Sequence, residues 1–182
     1  MRLFFALHLP DAIRGQLAAL RTDVGRASWV KPEQLHLTLR FVGEVDEPTA
    51  ARLAEAARAE LEGAGWPAPT LRLRGVGTFG RPRRPRVLWA GLEPLEPLAR
   101  LAESLETATR RVELPAEERP FAAHVTLARL KHPRLDAIEA FLNEHAALES
   151  EPFTVGEVTL FCSALTSRGS IHEPVERFPL GP

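Results

Sequence analysis

The tetrapeptides His36-Leu37-Thr38-Leu39 and His124-Val125-Thr126-Leu127 repeat one pattern, His-x-Thr-x with apolar x, in a chain of 182 residues. The second copy begins 88 positions after the first (124 − 36), close to half the length. In a strand, residues i and i+2 share a face, so each copy aims an imidazole and a hydroxyl one way and two apolar side chains the other. A chain carrying this pattern twice is constrained to two β-strands, each half-buried, with polar faces that can line one site. With 6 His in the chain, a His followed two positions on by Thr arises by chance roughly 0.4 times, so a single copy would say little and two say much more. Both copies lie in β-favouring runs, Leu35 to Phe41 and Val125 to Leu130, and each is followed by an arginine, Arg40 or Arg129.

Composition narrows what such strands can belong to. An apolar content of 45% is enough to bury a core, and the length fits one compact domain or two small lobes sharing one. Lys+Arg 23 against Asp+Glu 24 leaves a formal charge of −1, so no global field draws the chain to nucleic acid or an anionic membrane, and a polyanion site has to be local. The lone Cys162 excludes an internal disulfide and a cysteine-based zinc site, which points to a reducing, cytoplasmic setting. The apolar run Leu3 to Leu9 contains His8, stops at Pro10 and is too short to cross a bilayer. It reads as an opening strand.

Periodicity then gives a strand at 2–9, a helix from Pro10-Asp11 to about Val24, the first motif strand at 34–43 and a helix from Glu47-Pro48 to about Leu61. Strands follow at Leu71 to Arg74 and Arg86 to Gly91. Further on come a helix from about Glu96 to Val112, the second motif strand at 123–131, a helix at 134–147, and strands near 152–161 and 170–178. Short connections and hairpin-like pairs favour mostly antiparallel sheets with helices packed outside. The expected fold is α+β, a single bilobal domain over 1–182 whose two sheets, related by a pseudo-twofold axis, each carry one motif on a wall of a central cleft.

Two imidazoles suit phosphoryl transfer at a ribose, because one can take a proton from the incoming water while the other protonates the departing sugar oxygen. Thr38 and Thr126 supply hydroxyl donors for the non-bridging phosphate oxygens. Arg129, with Arg40 as a second candidate beside it, would add charge-assisted donors. No His-Glu-x-x-His helix and no acid beside either motif supports a zinc site, so no metal is expected. Ser163, in Phe161-Cys162-Ser163-Ala164, lacks the flanking glycines of a nucleophile elbow, and Cys162 reads as a buried small residue. Gly75-Val76-Gly77 lacks the rest of a phosphate loop and reads as a strand end. Arg81-Pro82-Arg83-Arg84-Pro85-Arg86 reads equally as a grip on an RNA backbone or as a solvated, proline-stiffened hairpin loop. Phe4, Phe5, Trp29, Phe79 and Trp89 are candidates to stack on a base. His8, His132, His145 and His172 lack a threonine at +2 and receive no role.

Four further segments accompany the motifs: Met1-Arg2-Leu3-Phe4-Phe5-Ala6, Trp29 to His36, Pro85-Arg86-Val87-Leu88-Trp89-Ala90-Gly91, and Arg119-Pro120-Phe121. Together they resemble the two-histidine (2H) phosphoesterase superfamily, and within it the bacterial and archaeal RNA 2′,3′-cyclic phosphodiesterases, also called 2′-5′ RNA ligases or LigT-like proteins. The resemblance implies a bilobal α+β fold, no cofactor, and opening of an RNA 2′,3′-cyclic phosphate to a 2′-phosphate. It further implies His36 as proton donor to the leaving oxygen, His124 as acceptor from water, and Thr38 and Thr126 on the phosphate with Arg129 nearby. Where relatives often carry tyrosine and a basic residue before the serine, this chain has Leu160-Phe161-Cys162-Ser163, leaving Ser163 as the phosphate contact from that strand. The substrate expected is an RNA end, with tRNA fragments or small cyclic nucleotides within reach of the same site, and neither a membrane nor an obligate protein partner is expected. Reversible 2′-5′ ligation of tRNA halves would use the same residues. A non-catalytic nucleotide- or RNA-binding module is the alternative from another class.

Overall fold

The structure, a computed structural model, describes residues 1–166 and 169–181. Its elements run β1 (Arg2–His8), α1 (Asp11–Ala18), β2 (Gly25–Trp29), a 3-10 turn (Pro32–Gln34), β3 (His36–Glu44), α2 (Glu47–Gly63), β4 (Thr70–Arg81), β5 (Arg84–Glu93), α3 (Leu95–Arg111), β6 (His124–Pro133), α4 (Leu135–Glu144), β7 (Phe153–Thr154), β8 (Glu157–Thr166) and β9 (Gly169–Pro179). The α+β reading holds. The strands form one path, β7-β4-β5-β6-β3-β1-β8-β9, with β2 set against the second half of β6, and every ladder is antiparallel.

The two halves of that path join at a narrow seam. Between β3 and β6 a single pair, Leu37 with Val125, is in register, and both side chains are fully buried. Helices cover the apolar face on their periodic stripes. In α2, Ala50, Leu53, Ala54, Ala57 and Leu61 are buried, and in α3 so are Leu98, Leu101, Ala102, Leu105 and Ala108. Asp46 caps α2 by accepting from the Thr49 amide at 2.9 Å, with Pro48 in the first turn. The buried residues of both halves form one contiguous core.

The structure departs from the sequence reading at four places. Where the sequence reading has two sheets, the strands form one nine-stranded sheet, because β3 and β6 pair directly. Helix α1 ends at Ala18, because Thr22 and Asp23 are poor helix formers and Asp23 instead takes the Gly25 amide at 2.9 Å. Val24 is still buried, but as extended chain. Strand β2, Gly-Arg-Ala-Ser-Trp, is almost bare of β-branched residues and exists by pairing with β6. Gly75 to Gly77 lies inside β4 and ends no strand; a register shift between Leu73 and Val76 sets Arg74 and Gly75 against Gly91 alone, and Gly75 takes φ +66°.

Candidate active site

Both motifs sit at the seam, on adjacent strands. The Leu37–Val125 register continued one residue each way sets His36 abreast of Thr126, and Thr38 abreast of His124, all four on the face opposite the buried pair. The two histidines are therefore diagonal neighbours, a relation that by ordinary sheet geometry separates residues by about 7–8 Å, with Cβ atoms somewhat closer. That spacing leaves room for a phosphate between the rings. The two motifs come together, but on adjacent strands of one sheet and not on the opposite walls of a cleft between two sheets.

Each imidazole is fixed in the same way. His36 Nδ1 lies 2.6 Å from the Gln34 carbonyl oxygen and His124 Nδ1 lies 2.7 Å from the Ala122 carbonyl oxygen, in both cases the residue two positions back. A carbonyl can only accept, so Nδ1 carries the proton and donates it, which leaves Nε2 as the atom free for acid or base work. Gln34 is itself held, donating from its side chain to the Ser170 carbonyl at 2.5 Å.

A β-bulge follows each threonine. Pairing jumps from Thr38 to Arg40 against β1 and from Thr126 to Ala128 against β5, so Leu39 and Leu127 are the extra residues. A one-residue bulge reverses the in/out alternation beyond it. Arg129 thereby reaches the same face as Thr126, in a cross-strand row with Val87 and Phe79. Arg40 is turned inward instead, only 6% exposed, with Nε 2.5 Å from Glu106 and Nη2 2.6 Å from the Pro115 carbonyl. The sequence puts Arg129 forward with Arg40 as a second candidate, and the bulges separate them: Arg40 ties β3 to α3 and to the loop that leads into the second motif.

The surroundings of the two rings differ. His36 packs against Phe4 (ring centroids 5.0 Å), Phe161 (6.5 Å) and the edge of His172 (5.1 Å). Burial pushes its pKa down to about 4, opposed by the bond to Gln34 and helped by neighbouring His172, His8 and His124. His124 meets the Phe79 ring edge-on at 4.8 Å, and its pKa is lowered by burial first and then by the Arg129 guanidinium, with the Ala122 carbonyl acting the other way. Trp89 lies in register with Thr126 and Gly77; a Cβ at Gly77 would run into the indole, so glycine lets the ring lie across β4 beside Phe79.

Of the five aromatics considered for base stacking, Phe4, Phe79 and Trp89 are on this face. Phe5 is buried beside Phe178, and Trp29 packs on Phe141 of α4. Ser163 of β8 pairs with His172 of β9, two residues beyond Phe161 and on its side of the sheet, while Cys162 faces the opposite side with Leu3. Sequence reasoning missed His172, whose pKa is lowered by burial and by Arg129, and which reaches His36 through a strand order that no local pattern announces. A cavity of ≈ 200 Å³ opens on the β1 side of His36, lined among others by His8, Gln34, Thr159, Phe161 and His172.

A nine-stranded α+β frame with paired His-x-Thr strands at its seam defines a class. The model of the 2′-5′ RNA ligase superfamily matches residues 9–164, and the chain belongs to that superfamily. It is 36% identical over 165 residues to an RNA 2′,3′-cyclic phosphodiesterase of Aeropyrum pernix, covering 87% of this chain and 92% of the relative. To its counterpart in Methanothermobacter thermautotrophicus it is 32% identical over 185 residues, covering 99% of each. Among solved structures, Escherichia coli LigT complexed with 3′-AMP superposes with TM-score 0.78 at 28% identity, covering 98% of this chain and 97% of that one.

Proposed function

We propose that this chain is a phosphodiesterase that opens RNA 2′,3′-cyclic phosphate ends to 2′-phosphomonoesters without a metal, residues 1–182 acting as one unit in the cytoplasm. The observation that carries the reading is the matched pair of imidazoles, each with Nδ1–H anchored on a backbone carbonyl and Nε2 left for proton transfer. The names of the relatives support the substrate class. No described helix is long and apolar enough to cross a membrane.

In this reading the cyclic phosphate lies between the two rings. His124 Nε2 takes a proton from water as its oxygen bonds to phosphorus, the P–O3′ bond breaks, and His36 Nε2 gives its proton to O3′. The products are a 2′-phosphate and a free 3′-hydroxyl. Thr38, Thr126 and Arg129 hold the non-bridging oxygens, with Ser163 further along the same face. His36 suits the acid role because a phosphate anion arriving in its drier surroundings is weakly screened and raises its pKa from the low resting value. tRNA fragments and small cyclic nucleotides carry the same reacting group, and 2′-5′ ligation would be the same ring opening with a ribose 5′-hydroxyl in place of water as the nucleophile.

The test is hydrolysis of a short RNA ending in a 2′,3′-cyclic phosphate in excess EDTA, with the product isomer identified. A 2′-phosphate that forms in EDTA and disappears with either folded His36→Asn or His124→Asn supports the reading. A rate abolished by EDTA, or one that survives both substitutions, overturns it.

A further inference from the structure

The arginine-rich segment at 81–86 is left unused by that chemistry, and the fold places it beside the site. Strands β4 and β5 form a hairpin whose tip is Pro82-Arg83, with Arg81 paired to Arg84. Arg81, Arg83, Arg84 and Arg86 are all exposed. Arginines elsewhere, such as Arg58, Arg72, Arg74 and Arg111, are each engaged by a carboxylate, whereas none of these four is in an ion pair among the described residues. In a chain with a formal charge of −1, this is a local concentration of uncompensated positive charge.

The hairpin begins at the reacting groups. Phe79, two residues before Arg81, stands edge-on to His124, and its row across the sheet contains Arg129. From Phe79 to Arg81, where β4 ends, the strand runs outward by about 7 Å at ordinary strand rise, and the Pro82-Arg83 turn lies beyond it. On neighbouring β6, Arg129 and Lys131 alternate on one side and extend the cationic track from the site toward the tip. The tip is shaped in advance: Gly80 takes φ +116°, where a Cβ would meet the Arg84 carbonyl oxygen at 2.9 Å, and Pro82 fixes its own φ. Prepaid order of this kind lowers the cost of binding.

We propose that the β4–β5 hairpin tip binds backbone phosphates of the RNA strand upstream of its cyclic-phosphate terminus, making the protein selective for oligonucleotide ends over mononucleotides. Guanidinium forks grip phosphates without reading sequence. The proposal rests on the reading of the site given above and adds to it the class of substrate.

The experiment pairs binding with turnover. Fluorescence anisotropy of a labelled single-stranded RNA with a cyclic-phosphate end, in EDTA and across a salt series, compares the native chain with the double variant Arg83→Gln/Arg84→Gln. Both side chains are exposed and outside the core, so the fold is kept. Two lost phosphate contacts on a single strand lower the slope of log K against log[salt] by about 1.4 and the oligonucleotide kcat/KM by about tenfold, with kcat/KM on a nucleoside 2′,3′-cyclic phosphate unchanged within about twofold. An unchanged salt slope overturns the proposal, and so does a native enzyme with equal kcat/KM on both substrates. If neither substrate is turned over, the reading of the site fails, and the salt slope still decides whether the hairpin holds RNA.

Discussion

The first six residues of β3 and of β6 are built alike and end differently. Both run half-buried, buried, half-buried, buried, buried, exposed, both anchor the histidine on the carbonyl two positions back, and both bulge at the leucine after threonine. The frame is thus the same. Beyond the bulge, β3 presents Arg40 inward and Phe41 outward, whereas β6 presents Ala128 inward and Arg129 outward. Phe41 stacks with Phe4 and lies under the Arg2 guanidinium, so rings stand between His36 and the cation on the β3 side. On the β6 side the cation, Arg129, acts on His124 itself. One backbone plan has been given two electrostatic environments, as the proposed acid and base, drawn from identical side chains, would require.

The largest effect expected from breaking this pairing comes from the histidines. His36→Asn and His124→Asn should each lower kcat by about 10²- to 10⁴-fold in an otherwise folded protein, since in the proposed mechanism each removes one proton transfer. The double variant should be only slightly worse than either single one if the two groups act in one step, as proposed. Single-turnover rates with circular dichroism as a check on folding would show this, and simple multiplication of the two losses would mean that the imidazoles act independently.

The arginines sharpen the comparison. Removing Arg40 as Arg40→Met leaves Glu106 half-paired against Arg110 and frees the loop held at Pro115, so about 2–4 kcal/mol of stability should be lost. Arg129→Met should leave the melting temperature within a few degrees while lowering kcat/KM by about 10- to 100-fold, the scale of one charge-assisted hydrogen bond. Thermal unfolding and kinetics on the two variants give a crossed pattern. The same pattern for both would mean that the bulges do not separate their roles.

Much of this was legible in the sequence where a local rule sufficed. The apolar stripes of α2 and α3, the alternation through both motifs and the hairpin at 81–86 follow from spacing and turn chemistry, and the structure has them close to where those rules put them. What escaped depends on pairing. No residue in Gly25–Trp29 announces a strand, and Leu39 looks like any other apolar strand residue, yet the bulge there decides where Arg40 points. His172 is silent for the same reason, since the order β3-β1-β8-β9 and the lean of side chains across it are tertiary facts. Candidates that rest on a side chain's own chemistry could be named from the sequence, while neighbours that depend on which strand lies beside which could not.

His172→Phe tests the quietest part of the asymmetry. The ring touches Phe4 at 4.9 Å and His36 at 5.1 Å, both edge-on, so phenylalanine keeps the packing and removes the titratable group. The pKa of His172 is itself lowered, so at pH 7 to 8 the native ring is neutral and turnover should change by less than about threefold. The difference emerges in acid. As pH falls below the ordinary histidine range His172 gains charge and opposes protonation of His36; without it His36 should take its proton at higher pH than in the native chain, moving up from about 4. Histidine ring signals followed by NMR across pH 3 to 8 measure this directly, with His124 as the internal reference. Because the folded pKa of His36 lies below the unfolded value, the unfolded chain binds more protons between about pH 6.5 and 4, and stability declines as pH falls through that window. A higher His36 pKa makes that decline shallower in the variant. An unmoved His36 titration would mean that the contact is packing alone, and a loss of turnover at pH 8 comparable to His36→Asn would make His172 a third participant in the chemistry.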